Sequence, residues 1–204
     1  MNIRRLTSQA IVLGLLLLII HFVASTGLGK TKKVSSTNWE ILGITLGSST
    51  NQDVERVLGP AEDMSPPQSE LSKVCYVSSA ADGTVLEFVI WDKPVGFRFF
   101  RALPEASQRC TRSALVSDSL KTSSGLKLGM YRSKIISMFG PPAETHGDKY
   151  IYDFSFDRPL TPEERERYRN ATPLVSAVSV TEKIEFGLKG SKVDLIDVTY
   201  SVTF

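Results

Sequence analysis

The feature that most constrains the fold of this chain is that it repeats itself. Residues 43–62 read GITLGSSTNQDVERVLGPAE and residues 125–144 read GLKLGMYRSKIISMFGPPAE. Gly43, Leu46 and Gly47 return as Gly125, Leu128 and Gly129, and Gly59 and Pro60 return as Gly140 and Pro141. The offset is 82 residues at the first three positions and 81 at the last two, and self-similarity at so nearly constant a spacing implies a duplicated supersecondary unit. Each copy carries the punctuation of a short helix. In the first, Ser49 with Gln52 forms a capping box, Val54, Val57 and Leu58 give an i, i+3, i+4 apolar face, and Gly59-Pro60 stops the helix. Ile135, Met138 and Phe139 hold the equivalent places in the second. Gly47 and Gly129 sit in the feeding turn, where a positive φ is expected. No phosphate-binding glycine motif accompanies them, so their role is structural.

Strand patterns follow each helix. Tyr150, Tyr152, Phe154 and Phe156 share one face. Val178, Val180, Ile184, Phe186 and Leu188 share one parity up to a turn at Lys189-Gly190, and Ile196, Val198, Tyr200, Val202 and Phe204 alternate with polar residues. The first copy predicts strands near 72–79, 84–92 and 95–103, with turns at Asp82-Gly83 and Lys93-Pro94. Its middle strand is apolar on both faces, through Leu86, Phe88 and Ile90 on one and Val85, Val89 and Trp91 on the other. The linker, the other copy or a partner must therefore cover the second face.

The expected fold class is α+β, with two tandem units, each a short helix or helix pair packed on an antiparallel β-sheet. The first unit spans 39–110 and the second 125–204, joined by a Ser-rich connector at 111–124 that includes a short strand near 112–117. An insertion at 157–175 interrupts the second unit. There Thr161, Pro162 and Glu164 open a helix through Arg169, with Glu163 and Arg167 paired at i, i+4.

The N-terminus has Arg4 and Arg5 before an apolar run from Ala10 to Ala24, the pattern of a secretory signal over 1–25 or, uncleaved, of a membrane anchor. A linker at 26–38 follows, with Lys30, Lys32 and Lys33. The whole chain has 24 basic and 22 acidic residues, and the two arginines of the signal account for the difference. The remainder is neutral, which argues against a nucleic-acid partner and restricts membrane contact to the N-terminal segment if it is retained. Export makes Cys75 and Cys110 a candidate disulfide; two buried free thiols are the alternative.

The G-[IL]-x-L-G turn, the one-helix V-x-x-[VM]-[LF]-G-x-P segment and the antiparallel strands behind it resemble a unit of known type. It is shared by the small lipoprotein of the outer-membrane β-barrel assembly machinery and, in tandem, by the β-lactamase inhibitor protein. The resemblance implies two α/β units that offer a sheet face to a protein partner, and binding in place of catalysis. The chain lacks the lipoprotein's lipidated cysteine, so neither relative's specific role carries over.

The chemistry-bearing residues are few. His21 falls in the apolar N-terminal run and His146 lies in a polar loop beside Glu144 and Asp148. No nucleophile-elbow or zinc-protease motif is present, so no catalytic residue, metal site or cofactor is expected. Asn170-Ala171-Thr172 is an acceptor sequon only in a host that glycosylates exported proteins. Trp91, Arg98, Phe100 and Arg101 are the candidate partner-binding residues, because aromatics interleaved with arginine are characteristic of binding hot spots. The sequence thus points to an exported, non-catalytic protein-recognition module of the cell envelope or extracellular space. The alternatives are a small-ligand or lipid carrier with a cavity between the units and, further off, a hydrolase centred on His146.

Overall fold

A computed structural model describes residues 39–80, 82–102, 107–169 and 176–203. The signal or anchor, the linker, Phe204 and the Asn170 sequon lie outside them. The chain opens with a small hairpin, β1 (Glu40–Ile41) and β2 (Ile44–Thr45), and continues into helix α1 (Asn51–Leu58). Strands β3 (Ser72–Ser78), β4 (Thr84–Ile90), β5 (Pro94–Arg101) and β6 (Thr111–Ser113) follow. The second half supplies α2 (Arg132–Phe139), β7 (Glu144–His146), β8 (Lys149–Pro159), α3 (Pro162–Tyr168), β9 (Ala177–Lys189) and β10 (Lys192–Thr203).

The expected α+β class, two tandem units of helix on antiparallel sheet, is overturned. Strands dominate, and eight of them form one continuous sheet in the order β6-β3-β4-β5-β10-β9-β8-β7. The sheet is mixed, because β3 and β6 run parallel. The two halves merge where β5 pairs with β10, from Leu195↔Phe100 to Thr199↔Gly96. The physical reason is the edge strand: β5 in the first half and β10 in the second would each leave an unpaired row of backbone groups, and pairing the two rows removes both edges at once. Gly96 makes the seam close, since a Cβ there would stand 3.0 Å from the Val198 carbonyl oxygen.

One face of this sheet holds the main core. Leu86, Phe88, Phe97, Phe99, Ile184, Phe186, Ile196 and Val198 bury inward against Val54 and Leu58 of α1 and Ile135 of α2. The half-buried Phe139 joins the two ends of that layer, with ring centroids 5.4 Å from Tyr152, 6.0 Å from Phe186 and 6.5 Å from Trp39.

The repeated segments keep the same local design. Gly47 N–H donates to the Pro94 carbonyl and Gly129 N–H to the Val193 carbonyl, both at 2.8 Å, with φ of 71° and 76°. Each helix ends on a glycine with positive φ whose N–H donates back to the last turn, Gly59 to Glu55 and Gly140 to Ile136. The cap of α1 is shifted by one residue from expectation: Thr50 and Asp53 form the capping box, and Ser49 instead accepts from the Thr45 N–H. The α2 N-cap, Tyr131, makes no side-chain cap bond. The insertion helix α3 has the expected Thr161–Glu164 box with Pro162 in its first turn.

The opposite face of the first half is covered from within the chain. Cys75 and Cys110 are disulfide-bonded, with Cα atoms 4.7 Å apart, and pack with Val85, Phe100 and Val77. The segment that carries Cys110, just before the connector, therefore covers the second apolar face of β4 at Val85. Where that segment does not reach, cross-strand ion pairs occupy this outer face: Lys73–Glu87 at 3.1 Å, Arg98–Asp197 at 2.6 Å and Lys149–Glu185 at 2.5 Å.

Candidate functional site

A groove of about 1030 Å³ opens where the turn after β4, the helix α3 and the far ends of β8, β9 and β10 meet. Its origin lies in an irregularity of β9. Val178, Val180, Ile184 and Phe186 bury completely on one parity, and the residue of the same parity between them is Glu182. Strand geometry sends Glu182 inward with its neighbours. Phe154 stands opposite it on β8 and Tyr200 on β10. Glu182 is only 4% exposed.

An isolated carboxylate at such a position is costly. Burial pushes the Glu182 carboxyl above its ordinary range, while the Trp39 indole N–H acts in the opposite direction. That N–H, on a side chain 2% exposed, makes no full hydrogen bond among the described residues. Among the described residues no cation pairs with Glu182. The groove thus holds a buried acceptor and a buried donor that only partly satisfy one another.

The walls are aromatic and the rim is charged. Trp91 is 69% exposed on the rim, and Phe156, Tyr200 and Val202 line the interior. Gly47 is the floor against which Tyr200 rests; a Cβ at that position would lie 2.5 Å from the Tyr200 ring. Across the opening, α3 is tied to the β4–β5 turn by Lys93–Glu163 at 3.2 Å and Arg167–Asp92 at 3.4 Å. Arg158 at the end of β8 holds α3 from below with a two-pronged bond to Glu164, 2.7 Å on each side. That contact, with the cap bonds from Thr161, outweighs desolvation and draws the Glu164 carboxyl down to about 2.

The four residues singled out from sequence do not come together. Trp91 stands on the groove rim. Arg98 lies on the outer face in its pair with Asp197, Phe100 packs on the disulfide cluster, and Arg101 is an exposed strand end. His146 is exposed on β7 and meets Glu144 at 2.9 Å. Among the described residues no group of His, Cys, Asp or Glu is arranged to hold a metal ion. Sequence reasoning passed over Glu182, although the signal was present: a lone acid on the buried parity of an otherwise apolar strand.

The fold and groove define a strand-dominated protein with one mixed sheet and a side cavity roofed by a helical insertion. No protein-family model and no curated protein matches the chain. Among solved structures it is similar to a DUF4309 family protein, YjgB, from Bacillus subtilis, with a TM-score of 0.39 and 13% identity over 78% of this chain and 83% of that one. Among the described residues no helix is long and apolar enough to cross a membrane. The disulfide fits an oxidising compartment.

Proposed function

We propose that this protein is an exported, non-catalytic binding protein of the cell envelope or extracellular space, and that its recognition element is the groove, not a sheet face. One observation carries the reading: an exposed tryptophan borders a groove in which, among the described residues, the buried Trp39 N–H has no full hydrogen-bond partner and the inward-facing Glu182 has no ion pair. Aromatic walls with few convergent polar groups are the ordinary make-up of a ligand site, and about 1000 Å³ is the upper end of the usual size range. The outer sheet face is the weaker candidate, since its charges are already committed to intramolecular pairs.

The groove is open to solvent, so it suits a small amphiphile or a side chain projecting from a protein partner. Photo-crosslinking in the exporting host tests the location. A benzoylphenylalanine at position 91 is expected to trap adducts, and the same group at position 98 is expected to trap none. Equal trapping from both positions, or trapping from position 98 alone, would return recognition to the sheet face.

A further inference from the structure

The charges around the groove point to the chemistry of its occupant. Five acids and three bases line it. Every base has an acidic partner: Lys93 with Glu163, Arg158 with Glu164 and Arg167 with Asp92. Asp157 and Glu182 remain, and among the described residues neither is in an ion pair. Asp157 is exposed and solvated, so the unmet need for a counter-charge falls on Glu182 at the buried end. The Trp39 N–H needs an acceptor, which the carboxyl offers; in its ionised form that group in turn needs a cation, and among the described residues none is paired with it. Aromatic faces at Trp91, Phe156 and Tyr200 line the path to it, and such faces attract an organic cation while covering its apolar stem.

We propose that the groove binds an alkylammonium group, its charge received by Glu182 and its stem lying along Trp91, Phe156 and Tyr200. The inference rests on the reading of the groove as the binding site and names the ligand class that reading leaves open. Anions are disfavoured by the excess of acid, and a neutral chain would leave Glu182 without a counter-charge. The same chemistry is offered by a free aliphatic amine and by a lysine side chain of a polypeptide.

Calorimetric titration of the intact protein with hexylammonium, 1-hexanol and hexanoate tests it. Hexylammonium is expected to bind about tenfold or more tightly than hexanol, the size of one charge-assisted contact, and hexanoate more weakly still. Glu182→Gln should reduce hexylammonium to the affinity of hexanol; the comparison of probes on the unaltered protein stands independently of how that variant folds. Hexanol binding as well as hexylammonium overturns the cation assignment and leaves the groove a binding site. Absence of binding by all three overturns both. Between the two sources, tighter binding of 1,5-diaminopentane than of acetyl-Gly-Lys-Gly-amide assigns a free amine, and the reverse order assigns a polypeptide lysine.

Discussion

The Tyr76 hydroxyl donates a 2.8 Å hydrogen bond to the carbonyl of Gly59, the residue that ends α1. Tyr152 makes the matching 3.0 Å bond to Gly140, which ends α2. In each half a strand residue on the buried face thus holds the chain at the point where it leaves its helix, satisfying a carbonyl that the helix cannot.

Replacing either tyrosine by phenylalanine keeps the ring and removes the bond, so Tyr76→Phe and Tyr152→Phe should each cost about 1 kcal/mol in denaturant unfolding. Burial, assisted by the nearby Glu55 for Tyr76 and Tyr150 for Tyr152, pushes both phenols from 10.0 up to about 12. The native state therefore favours the neutral phenol. Its contribution is intact below pH 10 and is lost as the pH rises towards 12, which absorbance-monitored alkaline titration should show as two late-ionising tyrosines.

The two repeat glycines separate conformational strain from crowding. Gly129 has φ of 76° and open space where a Cβ would stand, so Gly129→Ala should cost only the left-handed backbone penalty of about 1 kcal/mol. Gly47 has φ of 71° and the Tyr200 ring against it, so Gly47→Ala adds overpacking of roughly 1–3 kcal/mol and displaces a wall of the groove. Thermal melts should rank Gly47→Ala well below Gly129→Ala. Equal melting temperatures would mean that Tyr200 moves aside freely.

The disulfide closes a loop of 35 residues, for which chain entropy gives about 3–4 kcal/mol. Removing both thiols as Cys75→Ala/Cys110→Ala should lower unfolding free energy by that order. It should also loosen the segment over Val85 first, which hydrogen exchange at β6 would report.

How far the sequence disclosed this architecture depends on the range of the interaction concerned. Helix stops at Gly59 and Gly140, the Thr161 capping box and the alternation of β8, β9 and β10 are local, and each formed close to its expected place. The pairing of β5 with β10 joins Arg98 to Asp197 across half the chain, and no local pattern announces it; two units were therefore expected where one sheet forms. Trp91 was singled out for its surroundings in sequence and lies on the groove because it falls in the β4–β5 turn, beyond the register shift at Val89/Ile90, whereas Arg98 and Phe100 stay within β5 on the outer face opposite Glu87 and Val85. Glu182 was legible as an exception to its strand, but its importance depends on Trp39 and Tyr200, which are remote in sequence.

Acid should release the roof of the groove. The Glu164 carboxyl, drawn from 4.5 down to about 2, contributes stability that is full above pH 4.5 and is lost as the pH falls towards 2. Glu164→Ala removes both the Arg158 contact and the carboxylate half of the capping box, at a cost of about 2 kcal/mol to α3. The Arg165 amide, bonded to the Thr161 carbonyl at 2.9 Å, is the reporter: its protection relative to a free amide at the same pH should fall in the variant at pH 7 and in the unaltered protein near pH 2.

Glu182 carries the opposite sign. Its carboxyl is raised from 4.5 by burial, so the folded state prefers the acid form. Well below pH 4.5 both folded and unfolded chains are protonated and no penalty arises. As the pH rises above 4.5 the unfolded chain releases its proton first, and the folded protein loses stability until its own carboxyl ionises. Over that window Arg158 stays cationic and Glu164 ionised, so neither neighbour contributes to the change. Glu182→Gln should therefore melt higher than the unaltered protein at pH 7, with the difference closing at about pH 4. Saturating hexylammonium should raise the unaltered protein by more than the variant, which keeps only the apolar part of the binding, since only an ionised Glu182 gains from the cation. A variant that melts lower at pH 7 would show that the chain already satisfies this carboxylate, and the case for a cationic occupant would lose its foundation.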